Sequence, residues 1–233
     1  MYKFWEKILV PRQSVSWRRR LAWHYLRFLG TPNYPFFDIK ETVELYFPNL
    51  ELQKEDLVID VGANHGFFSW WAATSGCKVL SIEPNQRSVA RLIRRVRSFS
   101  NVAIISAAVS DQTKLDYLYF PSEYRVAPDL HSGSASIIAN NLAIDSSERV
   151  PVFILDLNEI LASVGKVKFL KIDVEGSETN LWNAIERHSD KIEYLAIEVH
   201  ERLFPGEDLQ WLVEARDFIA RNKLERYWRL DWP

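Results

Sequence analysis

The sequence predicts an α/β protein of the Rossmann-like kind: a mostly parallel sheet with helices on both faces. Three stretches carry that expectation. From Leu57 to Pro84, a short apolar run (Leu57-Val58-Ile59) reaches an acid at Asp60 and turns through Gly62 and Gly66. It continues as an apolar segment, Phe67 to Ala73, and returns as a second run, Val79 to Ile82, that stops at another acid, Glu83. From Phe169 to Gly176, an apolar run ends in Asp173, Glu175 and Gly176; from Ile192 to Val199, a further run ends at Glu198-Val199-His200-Glu201. Apolar runs of strand length alternating with helical segments are the pattern of a parallel sheet covered on both sides.

The first stretch reads as strand, glycine turn, helix, strand, one half of a nucleotide-binding unit. Gly62 lets the backbone turn sharply and approach a ligand, and Gly66 opens the helix where unpaired N–H groups gather. Glu83 ends the second strand, where an acid accepts hydrogen bonds from ribose hydroxyls. The turn Gly62-Ala63-Asn64-His65-Gly66 lacks the middle glycine that clears room for a dinucleotide's pyrophosphate, and Asp60 would repel phosphate. Both features argue against a nicotinamide-dependent oxidoreductase. Asp60 suits a cationic ligand instead, such as the amine of S-adenosylmethionine.

A second motif narrows the reading. Phe169-Leu170-Lys171-Ile172-Asp173-Val174-Glu175-Gly176, with VIDVGANHG from Val58 and IEPN from Ile82, resembles the FkbM family of S-adenosylmethionine-dependent methyltransferases. The likeness runs from about Val58 to His200 and takes in Ala108-Val109-Ser110-Asp111 and Leu155-Asp156, with KIDVEG its most specific piece. It departs from the family pattern at His65 and at Arg94-Arg95. The resemblance implies a class I methyltransferase fold and S-adenosylmethionine as cofactor. It implies transfer of methyl to a hydroxyl oxygen of a sugar, glycan or secondary metabolite. Cofactor-binding positions are then Asp60, Gly62, Asn64, Gly66, Glu83, Pro84, Asp111 and Asp173. The alternative is a protein of the same fold that binds the cofactor without turnover.

Composition sets the frame. At 233 residues the chain fits one domain, expected over 38–233, preceded by a helical extension and linker over 1–37. An apolar share of 47% and a charged share of 26% are globular values, and a net charge of −2 gives no reason to expect nucleic-acid binding. The single cysteine, Cys77, excludes an intrachain disulfide and is expected to pack at the end of the first helix. No apolar run approaches the roughly 18–20 residues of a membrane span, and no signal-peptide pattern opens the chain, so a reducing, cytoplasmic setting is expected.

Residues 1–30 differ from the rest, with Lys3, Lys7, Arg12, Arg18, Arg19, Arg20 and Arg27 against the single acid Glu6. Trp17, Leu21, His24, Tyr25 and Phe28 follow helical spacing. This segment is expected to pack on the domain, while peripheral contact with an anionic membrane and a cover over the pocket stay open; homo-oligomerisation of the protein stays open as well.

Further along, Ile39 to Phe47 reads as a helix and 86–98 as a basic helix with Val89, Leu92, Ile93 and Val96 inward and its arginines solvated. Val102 to Val109 reads as a third buried strand delivering Ser110-Asp111, where Asp111 or adjoining backbone would meet the adenine amine. Leu115–Phe120 and Val150–Leu155 bracket a polar segment, 121–149, read as a hairpin with a long loop and a candidate substrate lid that includes His131 and Asn140-Asn141. Val167–Ile172 is the fourth strand, Ser177–Arg187 a helix with Leu181, Ala184 and Ile185 inward, and Ile192–Val199 the fifth strand. Leu209, Leu212, Val213 and Ile219 mark a last helix, and Leu224–Trp232 a final strand.

The chemistry gathers at the strand ends. An alcohol is a weak nucleophile at neutral pH, so a base positioned to take its proton helps methyl transfer. Asp173, His200 and Glu198 are the catalytic candidates: Asp173 for its position, His200 for its pKa. Strand alternation places Glu198 and His200 on one side. Glu175 can instead serve the N-terminus of the following helix. Carboxylates with His200 are also a donor set for a divalent cation, but the spacing is not diagnostic and no metal is assigned from sequence. A small-molecule or glycan acceptor is the expected partner.

Overall fold

A computed structural model describes residues 39–122, 134–139, 144–200 and 209–232. The expected basic helix of residues 1–30, the linker to Phe37, His131, Asn140-Asn141 and Glu201 lie outside the described residues.

The elements are α1 (Ile39–Tyr46), β1 (Leu57–Val61), α2 (Phe67–Thr74), β2 (Lys78–Ile82), α3 (Gln86–Val96) and β3 (Val102–Ile105). These are followed by β4 (Ala108–Ser110), β5 (Lys114–Phe120), β6 (Asp145–Asp156), α4 (Leu157–Ser163) and β7 (Val167–Ile172). A 3₁₀ turn (Glu178–Leu181) runs into α5 (Trp182–Arg187), followed by β8 (Ile192–Ile197), α6 (Gln210–Arg221) and β9 (Trp228–Arg229). Six strands form the main sheet in the order β3-β2-β1-β7-β8-β9, each pair parallel. The chain starts at the centre with β1, works outward to β3, then returns beside β1 with β7. That reversal is the switch point at which open α/β sheets bind ligands.

Burial on both faces explains why the strands read as continuous apolar runs. Ile59, Val61, Leu170, Ile172, Leu195 and Ile197 pack beneath α4, α5 and α6 through Leu157, Leu161, Ile185, Ala215 and Ile219. On the other face Val58, Phe169, Tyr194 and Ala196 meet α1 and α2 through Val43, Phe68 and Ala72, with Phe47 just beyond α1. Phe169 anchors this second layer, its ring centroid 5.0 Å from Phe47 and 5.3 Å from Phe68. Burial of each such side chain contributes about 1.5–3 kcal/mol. Cys77 is buried just beyond α2, its thiol donating to the Ala72 carbonyl at 3.2 Å.

Four expectations change. The strand expected over 102–109 is two: β3 is an edge strand of the main sheet, while β4 crosses to a second sheet, β4-β6-β5. There β4 runs parallel to β6, and β5 and β6 form the expected hairpin, with Ser136 bridged back to Tyr119. The final strand shortens to Trp228–Arg229, because the preceding residues are used in a turn where Tyr227 N–H donates to Leu224 O at 2.8 Å. The expected 177–187 helix opens as the 3₁₀ turn. Ile93 and Val213 are each 50% exposed, since the buried stripes of their helices are narrow: Ser88, Leu92 and Val96 on α3, and Leu212, Ala215 and Ile219 on α6. Among the described residues no helix is long and apolar enough to cross a membrane.

Candidate active site

Strand register assembles the site. Val61 pairs with Ile82 on one side and with Ile172 on the other, so the residues that follow (Gly62, Glu83 and Asp173) emerge side by side at one sheet edge. A cleft of about 530 Å³, its open mouth included, lies over that edge. Gly62, Asn64, Glu83, Pro84, Asp173, Val174, Glu175 and Ser177 line it, with Ala107, Ala108, Val109, Leu118, Ala135 and Ile137 forming an apolar wall from the second sheet.

The glycine turn folds tightly against the strand tips. Gly62 and Ala63 N–H groups both donate to Ile82 O, at 2.9 and 3.0 Å. Gly62 has φ +74°, and Asn64 is also left-handed at +49°, a region asparagine tolerates better than most side chains. Glu83 is only 6% exposed. Its two oxygens accept the backbone N–H of Asn64 at 2.8 Å and of Asn85 at 2.9 Å. Burial pushes its pKa up to about 7, against the opposing pull of those two N–H groups. Asn85 caps α3 by accepting from Arg87 N at 3.1 Å.

Asp60 is fully buried and stands outside the cleft lining. One oxygen accepts from Ser69 Oγ at 2.6 Å and the other lies 3.4 Å from Lys171 Nζ. Lys171 also donates to Gly62 O at 3.2 Å and reaches Asp173 Oδ2 at 3.4 Å. Burial alone would lower the Lys171 pKa, but Asp60, Asp173 and Glu198 outweigh it and hold the ammonium charged. Asp60 therefore works through Lys171, whose cation ties the first strand's acid to the fourth strand's. Lysine in the middle of an apolar strand was the available signal for this, and residue-type reasoning passed over it.

Two further expected positions sit elsewhere. Gly66 caps α2 at φ +78° and abuts Leu92, where a Cβ would lie 2.3 Å from the Leu92 Cδ1 methyl. It lets α2 pack closely against α3. Asp111 is exposed just past β4, within 3.2 Å of Ser110 Oγ, and the cleft wall at that point is Ala107, Ala108 and Val109. The arginine face of α3 is also not wholly solvated: Arg91 Nη1 meets His65 Nε2 at 2.9 Å, and Arg95 Nε donates to His65 O at 2.8 Å with its guanidinium 3.4 Å over the Phe67 ring.

The three catalytic candidates do come together. Glu198 and His200 follow β8, and Glu198 N–H continues the ladder to Ile172 O at 2.9 Å. His200, 5% exposed, lies behind the cleft wall. Its Nε2 is 3.4 Å from Glu175 Oε2, 3.7 Å from Glu198 Oε1 and 4.0 Å from Asp173 Oδ1. Its Nδ1 is 2.9 Å from Glu178 Oε1, a buried carboxylate that sequence reasoning missed because it reads as an ordinary residue of the following helix. Burial would lower the His200 pKa, but the Glu178 hydrogen bond and the Glu175, Glu178 and Asp173 charges carry it to about 10. Burial, reinforced by Asp173, Glu198 and Glu178, keeps the Glu175 carboxyl protonated above the usual carboxylate range even with His200 beside it.

Fold and cleft define a doubly wound α/β protein with a cleft at its switch point. The chain belongs to the methyltransferase FkbM domain family, which it matches over residues 60–222. No curated protein matches the sequence. Among solved structures it is similar to a precorrin-8w decarboxylase of Methanobacterium thermoautotrophicum at 12% identity and a TM-score of 0.43, covering 83% of this chain and 75% of that one. It is likewise similar to precorrin-6y C5,15-methyltransferase of Geobacter metallireducens (12% identity, TM-score 0.42, covering 82% and 75%). An rRNA methylase of Streptococcus thermophilus matches at 12% identity and a TM-score of 0.42, covering 82% and 81%.

Proposed function

We propose that the chain binds S-adenosylmethionine in the cleft over β1, β2 and β7 and transfers its methyl group to a hydroxyl oxygen of a sugar, glycan or secondary metabolite. The observation that carries this reading is the placement of Glu83 and Asp173 on either side of the Gly62 turn, with the apolar wall of Ala107–Val109 beside them. These residues fit the cofactor. The Glu83 carboxylate, held by two backbone N–H groups, keeps lone pairs for the ribose hydroxyls, and Pro84 and Asn64 flank it. The apolar wall suits adenine, with adenine-amine contacts falling to backbone near Val109 and Asp111 beyond. Asp173 and the Gly62 turn would meet the amino-acid end.

The bound sulfonium supplies an electrophilic methyl carbon. The chain's own contribution is orientation and proton transfer. Asp173, partly exposed on the cleft wall, is placed to take the acceptor's hydroxyl proton, and Lys171 at 3.4 Å fixes its carboxylate. His200 and Glu198 stand behind it and adjust the local charge.

The test is calorimetric titration with S-adenosylhomocysteine, followed by methyl transfer to a panel of hydroxylated acceptors. No binding at millimolar ligand would refute the reading. Binding with no transfer to any acceptor favours a cofactor-binding protein without turnover.

A further inference from the structure

His200 is built like a metal ligand. Its side chain is 4% exposed, and its Nδ1 is committed to Glu178 Oε1 at 2.9 Å, itself a 3%-exposed carboxylate that also accepts Gly176 N–H at 3.1 Å. An ion bound there would displace the Nε2 proton: with Nδ1–H donated to Glu178, the Nε2 lone pair of the neutral imidazole would face Glu175 (3.4 Å), Glu198 (3.7 Å) and Asp173 (4.0 Å). A carboxylate that fixes the tautomer of an inward-facing imidazole is the outer-sphere arrangement of histidine–metal sites.

The remaining donors are in reach. Single donor atoms of Asp173, Glu175 and His200 all lie within 4.8 Å of one another. An ion bonded at about 2.1–2.2 Å in octahedral geometry would separate its donors by about 3.0 Å where adjacent and about 4.3 Å where opposite. The observed 3.4 and 4.0 Å fall between those limits. Charge points the same way. Asp173, Glu175, Glu178 and Glu198 surround one imidazole, and Lys171, which lies 3.4 Å from Asp173, is shared with Asp60.

We propose that Asp173, Glu175 and His200 form a divalent-cation site on the wall of the cleft, with Glu178 orienting the imidazole from behind. One nitrogen with hard carboxylate oxygens suits a Mn²⁺-like ion better than Mg²⁺, which favours oxygen and water, or Zn²⁺ in a thiolate-rich tetrahedron. Its use, resting on the methyl-transfer reading above, is to hold an acceptor oxygen against the cofactor's methyl group. Ion binding itself does not depend on that reading.

The test titrates Mn²⁺ into the full chain stripped with a chelator, following loss of the free-ion EPR signal. One ion per chain is expected, with affinity at least tenfold weaker in Glu175→Gln and His200→Gln and several-fold weaker in Glu178→Gln. On the wild-type complex, which needs no variant to fold, pulsed EPR should show coupling to one imidazole nitrogen. An undiminished free-ion signal at millimolar Mn²⁺, or a bound ion without nitrogen coupling, overturns the site. S-adenosylhomocysteine is titrated into the same metal-free protein. A protein that binds the cofactor but fails to bind Mn²⁺ in the first titration refutes this site alone, and one that binds Mn²⁺ but not the cofactor supports the site while refuting the methyl-transfer reading.

Discussion

A Cβ atom added to Gly62 would lie 1.7 Å from the carbonyl oxygen of Asp173. The first strand's turn and the fourth strand's tip thus touch backbone to backbone, and the cleft floor has no room for any side chain there. Gly62→Ala is expected to cost more than about 2 kcal/mol, the left-handed strain plus a contact that only backbone movement relieves. Gly76→Ala is the control: its φ is +81° but nothing lies within 4 Å, so only the conformational cost of about 1–2 kcal/mol applies. Urea denaturation of both variants measures the difference, and equal losses would contradict the contact.

Among the partners of Lys171, the buried Asp60 should depend on it most. Removing one partner of a buried ion pair typically costs about 3–5 kcal/mol, so Lys171→Met is expected in that range. Adding Asp60→Asn should recover a substantial part of the loss, since the uncompensated charge disappears. A double-mutant cycle by chemical denaturation checks the coupling; strictly additive losses would mean that Asp60 does not rely on Lys171.

If the cofactor binds as proposed, Glu83 should give that binding a pH dependence near neutrality. Its folded pKa of about 7 lies above the usual 4.5, so the folded state prefers its protonated form. The stability that this contributes is complete below about pH 4.5 and disappears as pH rises through 7. Ligand binding runs in the opposite direction, because ribose hydroxyls need the carboxylate. Affinity for S-adenosylhomocysteine is expected to strengthen about tenfold from pH 6 to pH 8, one unit either side of that pKa. Calorimetry at both values reads it, and Glu83→Gln should flatten the profile.

Arg95 should matter where its neighbours do not. It donates to His65 O and lies over Phe67, whereas Arg94 is exposed. Arg95→Ala is expected to cost about 1–2 kcal/mol and Arg94→Ala less than about 0.5. Thermal or urea unfolding compares them directly.

What the sequence made legible follows from where its signals are local. The apolar runs at 57–59, 79–82, 167–172 and 192–199 announced the sheet because parallel strands are buried on both faces. The acids at their ends announced the rim. The routing of side chains was not legible, since it depends on which strands become neighbours: Asp60 turns to Lys171 only because β1 pairs with β7. For the same reason Glu178 meets His200 across 22 residues. The split of 102–109 into two sheets was hidden because both halves are similarly apolar. His65 and Arg95, two of the departures from the family pattern, prove to be partners across the α2–α3 junction.

The insertion of β7 between β1 and β8 has a kinetic consequence. Its pairing with β1 joins residues more than 100 positions apart, with the strands of the second sheet between them in the chain. Contacts of such long range carry a large loop-closure cost and tend to form late. The floor of the cleft should therefore be the last part of the protein to consolidate during refolding. Substitutions there, at Gly62 or Asp173, should chiefly hasten unfolding and leave the folding rate little changed.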